Sequence, residues 1–210
     1  MQFTILADTL KALTLIAAKD DRRYYLNGVC IDVAVTGATQ AVAVATDGHM
    51  LIAVPLLLDA DITMLGSAAG QYIIPRELID GLKARKGAFA TVKLDARSVT
   101  INVGGANITA PLIDGQFPDW RRVVPLTVTG LASQIDADYL HAMKKAHKLL
   151  GGSYSPTVAH NGAETGDGGA ARVLLAADAI GVIMPLRADK PVLYTPTWLE
   201  RPAAKLSAVA

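Results

Sequence analysis

The sequence predicts an α+β fold in which helices lie on one face of antiparallel sheets, built from a strand–helix–strands unit used about three times. Three observations carry this reading. Apolar segments of strand length alternate with stretches of helical periodicity. Each helical stretch opens near a capping residue or a proline and stops at glycine or in a polar turn. The order strand, helix, strands then recurs along the chain, as it does where one unit cannot bury its own apolar face and must pair with another.

In the first unit, Gln2–Leu6 reads as a strand. Asp8 or Thr9 can cap a helix starting near Leu10, and the segments Tyr24–Ala34 and Ala41–Leu58 follow as strands. In the second, Gln71–Ile74 leads into a helix opened by Pro75, a residue favoured in a first helical turn, and ended by Gly87. Ala90–Leu94, Val99–Val103 and Asn107–Ile113 are its later strands. In the third, Leu131–Ile135 precedes Asp136 or Asp138 as cap, and the helix runs through Leu150 to Gly151-Gly152. Thr157–His160, Ala171–Ala176 and Ile180–Leu186 complete it. Residues 161–170 read as a surface turn, and 189–210, with Pro191, Pro196 and Pro202, as an extended tail carrying Tyr194, Trp198 and Leu199.

Composition narrows the class. At 210 residues and 51% hydrophobic content the chain can bury a substantial core. Leu51–Leu58 is too short to span a bilayer and is broken by Pro55, and the N-terminus lacks the basic head and apolar run of a secretory signal. Cys30 is the only cysteine, which excludes an intrachain disulfide; it reads as a small buried hydrophobe in a reduced, intracellular protein. No metal or cofactor set is expected. Asp47, His49 and Asp119 would serve acid–base chemistry only with partners that the sequence does not supply.

Net charge is +1, so any nucleic-acid affinity must come from placement. Helical projection gathers His141, Lys144, Lys145 and Lys148 opposite Tyr139, Met143, Ala146 and Leu150. Lys11, Lys19 and Arg22 lie across from Leu10, Leu13 and Ala17, and Lys83, Arg85 and Lys86 crowd the end of the second helix behind Leu78, Ile79 and Leu82. Three basic helices in equivalent units suit a track for phosphates without base readout.

Five segments carry a resemblance: RYYLNG at 23–28, ATDGH at 45–49, YIIPREL at 72–78, DGQFPDWRRVVP at 114–125 and VIMPLR at 182–187. In this order they resemble the bacterial DNA polymerase III beta subunit, the DNA sliding clamp. Residues 1–125 resemble its middle domain, and 126–188 half of its last domain; the tail 189–210 extends beyond it. The resemblance implies a DNA-clamp fold and a non-catalytic processivity factor that encircles double-stranded DNA. It also implies a hydrophobic pocket for short linear motifs of the polymerase and clamp loader. Carried over by position, that pocket holds Leu26, Thr46, Gly48, His49, Leu51, Pro118, Arg122, Val123, Val182, Ile183, Met184, Pro185 and Leu186, with Met50 where many clamps have a basic residue. Arg23, Tyr24 and Tyr25 match a DNA-facing segment, and strand alternation would point the two tyrosines to opposite faces.

The family's rings hold twelve helix-bearing units and this chain reads as three, which implies a four-chain ring. Because three is odd, the units can alternate in direction around the ring only if the third unit meets another chain's third unit about a two-fold axis, giving a dimer of dimers. The competing expectation is a clamp-like decoy that binds the same peptides without encircling DNA; it has no need of the basic helices. No membrane partner is expected, and the protein's place would be the cytoplasm, at the nucleoid.

Overall fold

The structure, a computed structural model, describes residues 1–36, 38–56, 69–164 and 168–187. The C-terminal stretch containing Tyr194, Trp198 and Leu199 lies outside the described residues. The first unit comprises β1 (Gln2–Leu6), α1 (Ala7–Thr14), β2 (Gly28–Thr36), β3 (Ala38–Thr46) and β4 (Met50–Leu56). The second comprises β5 (Gly70–Pro75), α2 (Arg76–Asp80), β6 (Phe89–Leu94), β7 (Ser98–Val103) and β8 (Ala106–Pro111). The third has α3 (Ala137–Leu149), β9 (Thr157–Ala159), β10 (Ala171–Leu174) and β11 (Ile180–Ile183).

The first two units trade their opening strands. β1 leaves its own unit to pair antiparallel with β6, giving the sheet β1-β6-β7-β8, and β5 pairs with β2 in return. The third unit extends the other sheet, because β11 pairs antiparallel with β4, giving the order β5-β2-β3-β4-β11-β10-β9. Neighbouring residues on these strands serve opposite faces, as a period of two requires. Val29, Ile31, Ile52, Ile74 and Ile183 pack into the core beneath the helices. Cys30, Leu51, Ile73 and Val182 enter a second, smaller cluster with Leu26 and Phe117 on the outer face.

The helices differ from expectation in instructive ways. α1 starts at Ala7, and Asp8 is not its cap: the buried carboxylate accepts from the Gly87 amide at 2.8 Å, tying the first unit to the second. Lys11 Nζ donates to the Ala84 carbonyl at 3.2 Å, and Arg76 Nη1 to the Ala17 carbonyl at 2.6 Å. α2 has only five residues. Its polypeptide leaves the helix at Gly81, so Lys83, Arg85 and Lys86 follow the helix on the way to Gly87, whose φ is +75°. Lys19 and Arg22 likewise lie beyond α1, which ends at Thr14. In α3 Asp136 is the cap, its carboxylate accepting from the Asp138 amide, and Gly151 takes up φ +93° just past the helix.

Two expected strands are replaced. Tyr24–Leu26 forms a short 3-10 turn before β2, so the two tyrosines do not alternate; their rings meet edge to face at 5.8 Å. Leu131–Ile135 is not a strand: it runs beside residues 160–162, with Leu131 accepting from the Gly162 amide and Gln134 from the Leu186 amide.

Two outcomes follow. Asp8→Ala leaves the Gly87 amide without its charged acceptor and should cost about 1.5–3 kcal/mol, read from the urea midpoint at unchanged m-value. Cys30 is fully buried, and burial first, the nearby Asp32 second, push its thiol well above the ordinary range. The unfolded thiol ionises near about 8.5 and the native one does not, so its contribution to stability is complete below that pH and falls as pH rises above it. Native protein should resist thiol reagents at pH 8 and react once unfolded; Cys30→Ala should flatten the alkaline decline.

Candidate functional site: an apolar pocket and a basic helical face

After β8 the chain crosses the outer face of the seven-stranded sheet. Ile113 bridges to Ile73 on β5, and Phe117 drops into the outer cluster with 2% of its surface exposed. Its amide donates to Gln71 Oε1 at 3.1 Å. The crossing is then pinned from β2. Asp32, buried on the outer face, accepts from Trp120 Nε1 at 2.8 Å and forms an ion pair with Arg121. The Arg121 guanidinium also lies 4.4 Å from the Trp120 ring centre, a cation–π contact. Asp32 therefore fixes two adjacent side chains of the 3-10 turn Trp120–Val123.

The β3–β4 turn supplies the opposite wall. Asp47 Oδ1 accepts from the His49 and Met50 amides, both at 2.8 Å, while Thr46 Oγ1 accepts from the Gly48 amide and donates to the Met50 carbonyl. Gly48 has φ +93°, a conformation that a residue with a Cβ adopts only under strain, so the turn favours glycine. Arg23 in turn donates to the Asp47 carbonyl and pairs with Asp21 at 2.8 Å. The hydrogen bonds from the Arg23 side chain and backbone hold the Asp21 carboxyl down at about 2. The Asp47 carboxylate is thus occupied in turn building, and no metal-holding cluster of His, Cys, Asp and Glu exists among the described residues.

Between these walls lies a cavity of about 220 Å³ astride the β4–β11 seam, where Leu51 opposes Val182 and the Met184 amide bonds the His49 carbonyl. From the expected set, Leu26, Thr46, Gly48, His49, Leu51, Pro118, Val123, Val182 and Met184 line it. Arg122, Ile183, Pro185 and Leu186 do not. Ile183 points through the sheet into the helical core with no exposed surface, the consequence of strand alternation beside Val182. Leu186 is exposed beyond the rim, its amide bonded to Gln134. Five further residues line it: Met50, expected at the rim, Asp119 and Trp120 of the crossing segment, and Arg23 and Tyr25. Arg23 and Tyr25 were assigned to the DNA side, whereas here they form pocket wall; Tyr24 is exposed beside them. Trp120 is held there by Asp32, its partner 88 residues away along the chain.

The helices occupy the other face of the same sheet. His141, Lys144, Lys145 and Lys148 are exposed on α3 while Met143 and Ala146 are fully buried. Lys19, Arg22, Lys83, Arg85 and Lys86 are exposed too, and none forms an ion pair among the described residues. Lys11 is half-buried, bonded to Ala84. His49 stacks on Tyr139 of α3 with ring centres 6.0 Å apart, linking pocket rim to helix; desolvation first, and Asp47 next, raise the Tyr139 hydroxyl's pKa.

Comparison with known proteins bears on this arrangement. The family profile described as the DNA polymerase III beta subunit, central domain, matches residues 1–119. This chain belongs to that family. Its members are non-catalytic processivity factors. The beta sliding clamp of Salmonella typhimurium is 32% identical over 132 residues, 60% of this chain and 34% of that protein. That of Vibrio cholerae is 37% identical over 120 residues, 51% of this chain and 28% of that one. The matched region is therefore about a third of the curated relatives' length. Among solved structures, a Pseudomonas aeruginosa sliding clamp superposes with a TM-score of 0.62 at 21% identity, covering 90% of this chain and 66% of that one. A Bartonella birtlesii clamp bound to griselimycin gives 0.61 at 19%, covering 89% and 66%. The α+β clamp fold thus extends past residue 119 into the third unit. No helix among the described residues is long and apolar enough to cross a membrane.

Asp32→Ala should release the wall of the pocket. The expected result is a destabilisation of about 2–3 kcal/mol, together with a red shift and broadening of Trp120 emission, checked by urea melts with fluorescence detection.

Proposed function

We propose that this protein is a shortened sliding clamp: a non-catalytic ring of four chains that encircles duplex DNA without sequence preference and docks short linear motifs of a polymerase and clamp loader in the pocket. The observation that carries the reading is the division of labour across one sheet. Unpaired cations sit on the helix side, and an apolar pocket with a preset wall sits on the other. Pocket and DNA track can then be occupied together. Pro118 and the Asp32-pinned turn keep the wall formed before ligand arrives, while Met50 and Met184 adapt to varied apolar anchors. Partners would be other copies of this chain, DNA and replication proteins in the cytoplasm at the nucleoid.

The domain division 1–125, 126–188 and 189–210 fits this reading, with Arg172 Nη1 bonding the Pro125 and Leu126 carbonyls at the junction. Closing the ring uses two contacts. One joins third units; the other joins the open edges of β8, the last strand of the second unit, just as β4 and β11, the last strands of their own units, already join within the chain.

A peptide with a leucine–phenylalanine anchor should bind with a Kd in the micromolar range, about −8 kcal/mol. Leu51→Asp or Met184→Asp should weaken it at least about thirtyfold by placing a charge in apolar surroundings. Equal binding by wild type and variants in fluorescence anisotropy would sink the pocket. Replacing Lys144, Lys145 and Lys148 with alanine should lower the slope of log affinity against log salt by about 2–3 on linear DNA with blocked ends, with the helix content unchanged. An unaltered slope alongside intact peptide binding would favour the decoy.

A further inference from the structure

The two complete units show a rule that the third leaves unfinished. In each, the strand that enters the helix pairs with the second strand of the other unit: β1 with β6, and β5 with β2. The register is the same in both. The residue just before the helix faces the first residue of the receiving strand, Leu6 opposite Phe89 and Pro75 opposite Gly28. The first helical amide then bonds the carbonyl just before that strand, Ala7 to Ala88 and Arg76 to Asn27. In the third unit the receiving strand is β9, and one of its edges has no strand beside it among the described residues. The donor stretch before α3 is irregular.

The sequence of the third unit nonetheless repeats the first. Ala137-Asp138-Tyr139-Leu140-His141-Ala142-Met143 follows Ala7-Asp8-Thr9-Leu10-Lys11-Ala12-Leu13, and an isoleucine stands two residues before every helix, at Ile5, Ile74 and Ile135. Burial then marks what is missing. At the fourth helical position Leu10 and Ile79 have no exposed surface, whereas Leu140 is half-buried; Ile5 and Ile74 are buried, whereas Ile135 is half-buried. Asp8 spans to Gly87, two residues before its receiving strand, and Asp138, its equivalent, is exposed.

We propose that a second copy of this chain completes the third unit by reciprocal strand exchange: residues 133–136 of each copy pair antiparallel with β9 of the other about a two-fold axis. The occupant must be the third unit of a second copy, because it alone brings both a donor stretch and an open β9, so each exchange satisfies both chains at once. Translating the register sets Asp136 opposite Thr157, Ile135 opposite Val158 and Gln134 opposite Ala159. The Asp138 carboxylate of each copy then accepts from the Ser155 amide of the other. In the single chain the donor stretch already meets its own residues in this register, Leu131 accepting from the Gly162 amide and Ser133 Oγ lying 3.2 Å from His160 Nδ1, and the exchange transfers these contacts to the partner. One further detail agrees. The bonds of Leu94 to Met1 and Ala7 to Ala88 make the pairs 1/94 and 7/88 hydrogen-bonded, so the pair 4/91 is not. Its equivalent, 134/159, should also be unbonded, with the Gln134 carbonyl turned away from β9, and that carbonyl accepts from Leu186 instead.

This inference deepens the four-chain reading but does not require DNA. Because the 134/159 pair is of the closely spaced type, a chain carrying both Gln134→Cys and Ala159→Cys should oxidise to a reducible species of twice the 22.0 kDa chain mass. Neither single variant should do so, and Cys30 is buried away from the contact. A disulfide closed within one chain, or no covalent dimer from a self-associating protein, overturns the exchange; so does a wild type that stays monomeric at micromolar concentration in light scattering. Asp138→Ala, which leaves the Asp136 cap in place, should raise the dimer dissociation constant about tenfold with helicity unchanged; no rise would count equally against it. A covalent dimer that never yields a four-chain species or is not retained on circular DNA keeps the exchange and removes the ring. A four-chain ring without the crosslink does the reverse.

Discussion

The antiparallel pairing of β4 with β11 is the constraint on which the rest of this molecule depends. It joins the first unit to the third, turns two short sheets into one of seven strands, and sets α3 alongside α1 on a shared face. The pocket exists only because of this seam, since Leu51 comes from one side of it and Val182 from the other. A seam between units is also where a cavity costs least. Within either unit the side chains interdigitate, but at the junction the floor is shared and the walls come from the turns at the strand ends.

How much of this was legible in the sequence depended on the range of the signal. The apolar runs such as Val29-Cys30-Ile31 and the caps and glycines around α3 are local, and they located most of the strands and that helix. Four of the five motifs placed Leu26, His49, Pro118, Val182 and Met184 around one cavity despite their separation along the chain. What failed was context. Lys83, Arg85 and Lys86 looked helical because Leu78, Ile79 and Leu82 are spaced for a helix, yet Gly81 ends α2 after little more than a turn, and Leu82 reaches the core from outside it. Leu131–Ile135 has the composition of a strand but no neighbour to pair with in a single chain, and a strand without a partner is not a strand. Tyr24 and Tyr25 were read by period two where the backbone makes a 3-10 turn, so alternation did not apply.

Asp32 deserved more weight than its sequence context suggested. A carboxylate in the run Val29–Val35 contradicts the pattern of an interior strand, and such a residue must find compensation or be expelled. Here the compensation is double, from the Trp120 indole and the Arg121 guanidinium. The exception to the apolar pattern was therefore the signal: a buried charge on β2 implied a cation and a donor arriving from elsewhere, and the arginine pair after Trp120 was a ready source.

The outer face explains why a pocket is left at all. The inner face of the sheet is covered by helices, whereas among the described residues the outer face is covered by the loop carrying Ala18, Tyr25 and Leu26 and by the stretch from Ile113 to Val124. That stretch starts at β5, passes Phe117 over the outer cluster and is stopped at β2 by Asp32. Cover reaches Trp120 and Val123, and the apolar floor of β4 and β11 continues past them. Leu51, Val182 and Met184 form the margin that the crossing does not reach, so the cavity is the remainder of an incompletely covered sheet. Because Asp32 fixes where the cover ends, it also fixes the width of what remains. A residue buried beneath the crossing thereby sets the shape of a pocket it does not line.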